Sequence, residues 1–205
     1  INFALGMIYS TFENTVTIYL MEGTFSPSIN GESFPIILPS FINIIGFEET
    51  ADNSILDGEN TWGNWSIIIG NFGYEPYNVF ISNFTITGQI ANGSNMDGNS
   101  VIELFGYQQQ DMDNYIHLDR LIIHNNGGHG IRIIRANTLL TNLTVVNNGR
   151  NAIKVEGPGN SYLLNSILWN NLTSNWEDGA NIWADGLWEH NLYADYTDID
   201  PYVEQ

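Results

Sequence analysis

Cysteine is absent from this 205-residue chain, so neither disulfides nor thiolate metal sites hold it together. Base is almost absent as well. There are 5 Lys and Arg against 23 Asp and Glu, and all five basic residues fall between Arg120 and Lys154. Nucleic acid and anionic lipid bind through Lys and Arg that displace phosphate counterions, so a formal charge of −18 excludes both as partners. No apolar run approaches the roughly 18 residues a membrane helix needs, which excludes insertion of that kind. The opening INFALGMIYS lacks the basic start of a signal peptide. The expectation is therefore a mature or excised piece of a longer secreted precursor. A cysteine-free acidic chain suits a bacterial extracellular or cell-surface setting, where Ca²⁺ is the natural small partner.

What is present argues for a folded body. Hydrophobic residues make up 43% and aromatics 13%, too much for a disordered acidic tail. The length suffices for one domain, residues 1–205, with a sizeable core. LIIHNN at 121–126 returns as LTVVNN at 143–148 and as SILWNN at 166–171, at offsets of 22 and 23 residues. FTITG at 84–88 and INIIG at 42–46 have the same shape. A second series runs SIIIG (66–70), VIELF (101–105), GIRII (130–134), AIKVE (152–156) and NIWAD (181–185).

Both series alternate apolar and other residues, the period of a half-buried strand. In a sandwich the Asn-Gly pairs at 126–127 and 148–149 would be hairpin turns. In a solenoid they are corners of successive coils. A hairpin does not require the same strand–Asn-Asn–strand phrase to recur 22 residues later, whereas a coil of three short strands does. The reading is an all-β, right-handed parallel β-helix of roughly six or seven coils, about 4.8 Å per coil, with corner Asn amides stacked as a ladder. Residues 1–14 read as an N-terminal cap with a helix within 4–12. Residues 88–99 and 106–114 read as polar loops, and 176–205 as a last coil or C-terminal cap.

Residues 15–58 carry a more particular pattern: Gly23-Thr24-Phe25, then Glu32, Phe34, Pro35 and Ile36, then Ile45-Gly46, then Ile55, Asp57 and Gly58. This resembles the opening coils of secreted bacterial β-helix repeat proteins, a group of largely uncharacterised modular surface proteins. The later coils look like the general right-handed β-helix repeat. The resemblance implies the architecture of polysaccharide lyases and hydrolases, and attachment to an outer cell surface, but no catalytic residues.

On such a rod Ile131 and Ile133 point inward and Arg132 outward. The outward column then reads Ile68, Glu103, Arg132, Lys154, Trp183. One reading is a structural ladder, with Glu103 pairing Arg132 and Lys154 lying on the Trp183 ring. The other is a substrate-binding cradle for an anionic sugar, made of Arg132 and Lys154 and fringed by Trp169 and Trp183. His124 shares its column with Val146 and Trp169, and His129 aligns with Asn151 at a corner, so neither reads as a zinc ligand. Calcium ligands would come from Asp111 and Asp113, or from Asp195, Asp198 and Asp200. Glycosylation sequons stand at Asn64, Asn83, Asn92, Asn142 and Asn171.

The expected function is a non-catalytic extracellular structural or adhesive module. It would associate with itself end to end into fibres or with other cell-surface components. The alternative is a module that binds or cleaves acidic polysaccharide, as a lyase or glycoside hydrolase.

Overall fold

A computed structural model describes residues 1–47, 50–60, 66–73, 77–90, 99–107, 115–171, 181–184 and 190–199. Every pairing between named strands in these residues is parallel, and successive coils stack in register.

The six-stranded sheet contains β3 (Ile36–Leu38), β6 (Ile68–Asn71), β8 (Ser100–Phe105), β10 (His129–Ile134), β13 (Ile153–Glu156) and β16 (Ile182–Ala184). The twelve-stranded sheet follows two paths. One runs through β1 (Val16–Leu20), β4 (Ile42–Gly46), β7 (Asn78–Thr87), β9 (Tyr115–His124), β11 (Thr138–Thr141), β14 (Gly159–Leu164) and β17 (His190–Asp195). The other contains β2 (Gly23–Phe25), β5 (Ser54–Asp57), the second halves of β7 and β9, β12 (Thr144–Val146), β15 (Ile167–Trp169) and β18 (Asp198–Ile199). Each coil thus has three sides, and the stack is the parallel β-helix of six to seven coils expected from the repeat.

The paths join at a left-handed bend. Asn83 and Arg120 take it inside β7 and β9, and Asn142 and Asn165 take it between strands, with φ of 65°, 48°, 55° and 48°. Asn tolerates this conformation because its short side chain bonds locally, which explains its recurrence here. The Asn-Gly corners have a different cause. A Cβ on Gly149 would lie 2.4 Å from the Gly127 carbonyl oxygen of the preceding coil, so only glycine lets the corners stack.

Alternation builds the core. On the six-stranded sheet Ile36, Ile68, Ile102, Ile131, Ile153 and Ile182 form one inward column, in contact through the strand register. Each fully buried isoleucine contributes on the order of 1.5–3 kcal/mol, and its branched Cβ suits the pleat. At the next inward position Gly70 leaves a gap, which the Phe72 ring fills. Ile68 is therefore inside, and the outward residue on β6 is Ile69, paired with Glu103. The sequence reading slipped here by one residue because three successive isoleucines, 67–69, carry no alternation.

Inside the corner after each β9-type strand runs the amide ladder. Asn126 Nδ2 donates to Asn148 Oδ1 (3.0 Å), Asn148 Nδ2 to Asn171 Oδ1 (2.9 Å) and Asn171 Nδ2 to Asn181 Oδ1 (2.7 Å). Gln89, in the segment read only as loop, extends it: its backbone N–H donates to Asn126 Oδ1 (3.0 Å).

At the N-terminal end α1 spans Asn2–Leu5 rather than 4–12. Gly6 follows at once and Ser10-Thr11 are weak helix formers, so only one turn survives, held by docking. Leu5 is buried, and Ile1 and Ile8 pack on the core. At the other end β16, β17 and β18 supply a final coil, pairing with β13, β14 and β15.

Candidate functional site

The charged column stands on the outer side of the six-stranded sheet. Its register is Ile37, Ile69, Glu103, Arg132, Lys154, Trp183. Arg132 Nη1 lies 2.7 Å from Glu103 Oε1, and Lys154 Nζ sits 4.6 Å from the centre of the Trp183 ring. A fourth charge completes the group. Glu156 Oε2 is 2.7 Å from Arg132 Nη2 and its Oε1 is 3.4 Å from Lys154 Nζ. Ser66 Oγ donates to the second oxygen of Glu103 at 3.1 Å.

Glu156 removes the one unfavourable adjacency in the column. Arg132 and Lys154 are like charges one coil apart, and a single carboxylate bridges them. The sequence reading missed it, although the period-two rule places Glu156 on the same side of β13 as Lys154. Two cations face two carboxylates, so the formal charge of the group is zero. Lys154 and Glu103 are buried, and the Arg132 side chain is only 16% exposed. Replacing Glu156 with Gln is expected to destabilise the fold by about 1–3 kcal/mol, because two largely buried cations lose one of their two carboxylates. Urea unfolding followed by tryptophan fluorescence would measure it; an unchanged midpoint would mean that the bridge is dispensable.

His129 opens β10, fully buried and in register with Ser100. Burial pushes its pKa down to about 3, and the charges of Lys154, Arg150 and Arg132 add to the effect. Contact with the Asn151 side chain, one coil on, works the other way. The ring is neutral at pH 7. His124 stands where expected, in register with Val146 and, one coil further, Trp169.

The structure does not bring the four sugar-site residues together. Trp183 shares the column with Arg132 and Lys154, whereas Trp169 is on β15 of the twelve-stranded sheet. Asp195 ends β17 and its Oδ1 accepts from the Tyr196 backbone N–H (2.9 Å); Asp198 begins β18. Asp111, Asp113, Asp200, Asn64 and Asn92 lie outside the described residues. Among the described residues no three His, Asp or Glu side chains converge as a metal site. The amide nitrogens of three sequons are engaged in the stack: Asn83 donates to Gly46 O (3.4 Å), Asn142 to Asp119 Oδ1 (2.7 Å) and Asn171 to Asn181. A glycan on any of them would cost a rung.

A second polar group was not foreseen, because its members lie some 22 residues apart and meet only through the register. Thr141 Oγ1 donates to Asp119 Oδ1 (2.7 Å), so its contact with His117 Nε2 (2.9 Å) requires that the ring nitrogen carry the proton. Arg120 Nε lies 2.9 Å from Asp119 Oδ2. Burial pushes the Asp119 carboxyl up, but the Thr141 and Asn142 donors and the Arg120 and His117 charges hold it below the usual range. Burial lowers the His117 pKa, partly offset by Asp119. Arg120 and Asp119 neutralise each other as neighbours on the outer side of the stack.

Among solved structures, the chain labelled Geobacillus virus E2 ORF18 is similar over 97% of this chain, at 10% identity and a TM-score of 0.40. This chain spans 46% of the length of that one. At that level the likeness adds nothing to the β-helix read directly from the strand register. No family model matches the chain, and no curated protein matches it in sequence.

Proposed function

We propose that the chain is a non-catalytic structural or adhesive β-helix module, a rigid acidic spacer at a bacterial cell surface or in an extracellular fibre. The observation that carries this is the self-neutralised column. Arg132 and Lys154, the cations best placed to receive an anionic ligand, are already held by Glu103, Glu156 and Trp183. The extracellular setting rests on the acidic charge and on the resemblance of residues 15–58, which build the first two coils. Self-association is the natural mode of assembly, since among the described residues β1, β2 and β3 each pair with another strand on one side only.

The second reading, a module binding or cleaving acidic polysaccharide with calcium, keeps one supporting observation: an indole beside a lysine in the same column. Uronic-acid oligomers, with and without Ca²⁺, test the two. The spacer reading expects an unchanged Tm and no unsaturated cleavage product. A Tm shift on adding oligomer, or absorbance from cleaved product, would establish the second reading instead.

A further inference from the structure

Residues 1–12, INFALGMIYSTF, contain no charged side chain, in a chain of net charge −18. Their inner side is apolar: Leu5 is buried in the core, with Ile1 and Ile8 packed against it. Their outer side is apolar too. Phe3 and Tyr9 are 85% exposed, and Met7 and Phe12 77%. The segment is not loosely attached. Asn2 Nδ2 donates to Pro35 O (3.2 Å), the Asn2 backbone N–H to Glu32 Oε1 (3.1 Å) and Ser10 Oγ to Ser40 O (2.7 Å). Phe12 also packs edge-on against Phe41, with ring centres 5.9 Å apart.

A segment that is apolar on both sides belongs between two bodies, because one packed body can bury only one of them. From these observations we infer that the outer side of the N-terminal cap is the contact surface of a head-to-head dimer of this chain. Two arguments select a second copy. The first is area. Phe and Tyr each bury about 150–250 Å². Phe3, Tyr9 and Phe12 with Met7 therefore approach the ~800 Å² per partner of a standard interface.

The second argument is charge. Copies at −18 repel through most surfaces, and no Lys or Arg precedes Arg120 to offset an acidic partner. A head-to-tail contact would set Glu13 and Glu22 against Asp195 and Asp198 with no base between them. The head-to-head contact instead joins two segments without charged side chains, the Ile1 ammonium being paired with Glu32, and a two-fold axis makes one patch sufficient for both partners. The proposal names the contact for the self-association in the spacer reading, and its biological purpose rests on that reading.

Sedimentation equilibrium of the 205-residue chain tests it. The expected result is a closed dimer that tightens with added salt, since screening relieves the repulsion while apolar contact persists. The double variant M7E/Y9E, on exposed positions and with an unchanged circular dichroism spectrum, should weaken the dimer by roughly 100-fold or more. Y193E at the opposite end should leave it unchanged. A monomer at every concentration, open-ended filaments, or a dimer indifferent to M7E/Y9E would overturn the inference. None of these outcomes depends on the oligosaccharide assay, so the two readings fail separately.

Discussion

Lowering the pH from 7 to 5 is expected to cost the fold about 2 kcal/mol through His129 alone, and the variant H129N should lack that loss. The sign follows from where the proton goes. In the folded chain the ring stays neutral down to about pH 3, whereas in the unfolded chain it titrates near 6.5. Between those values the unfolded state binds a proton that the folded state refuses. The stability is therefore complete above pH 6.5 and declines by about 1.4 kcal/mol per pH unit as pH falls toward 3.

The physical cause is first the burial of the ring, and then the positive charges of Lys154, Arg150 and Arg132 acting on it. Asparagine is a sensible replacement because Asn151 occupies the corresponding corner one coil on. Urea unfolding at pH 7, 6 and 5 measures the effect as a gap between the two proteins. His117 moves in the same direction, but it is present in both and cancels. Parallel curves for H129N and the parent would show that the ring takes up its proton without cost.

The second large effect is expected at Asn148. Replacing it with Ala should destabilise the fold by about 3 kcal/mol, as each buried group left unpaired costs roughly 1–3 kcal/mol. Asn148 accepts from the backbone N–H of Asn126 (3.2 Å) and from its side chain (3.0 Å), and donates to Ile123 O (3.1 Å) and Asn171 Oδ1 (2.9 Å). One amide thus ties three coils together, and it is fully buried.

Asn148→Asp should be worse at neutral pH. It keeps the shape but turns a carboxylate oxygen toward two other acceptors, Ile123 O and Asn171 Oδ1, at a fully buried position. The control is the next residue back. Asn147 is exposed and left-handed at φ 55°, and its side chain takes part in an outer rung, accepting from Asn170 (2.6 Å). Asn147→Gly should change stability by only a few tenths of a kcal/mol, because glycine accepts that backbone freely. Equal midpoints for N148A and N147G would remove the inner ladder from any account of why the coils hold together.

Much of the fold was legible from residue 100 onward. There the recurring strand phrase aligned Ile102, Ile131 and Ile153, although the polar stretch 106–114 sets the first two 29 residues apart and the last two only 22, and alternation then assigned Glu103, Arg132 and Lys154 to the outer side. Before residue 100 the coils are longer, and an unbroken isoleucine run hid which of Ile68 and Ile69 faced out. The helix at the N-terminus was read too long because apolar spacing alone cannot tell a helix from a short cap that docks by two or three side chains.

The candidate site was only half legible. Glu103 with Arg132, and Lys154 with Trp183, follow from counting along aligned strands. Glu156 required knowing that a carboxylate two residues along can reach diagonally across coils to a guanidinium. The Asp119, Thr141 and His117 group required three residues from two strands to meet, and Gln89 joined the ladder from a stretch with no repeat signature.

By itself, then, the amino-acid order determined a parallel coil with stacked amides, because a periodic pattern of apolar residues and corner asparagines can bury itself in few other ways. It also determined that base would be scarce and confined to a few coils. Only the tertiary structure decided what those bases face. Pairing distance, burial and the reach of a side chain depend on neighbours far apart in the chain. Those neighbours set Arg132 and Lys154 against Glu103, Glu156 and Trp183, and left the apolar outer side of residues 1–12 facing solvent.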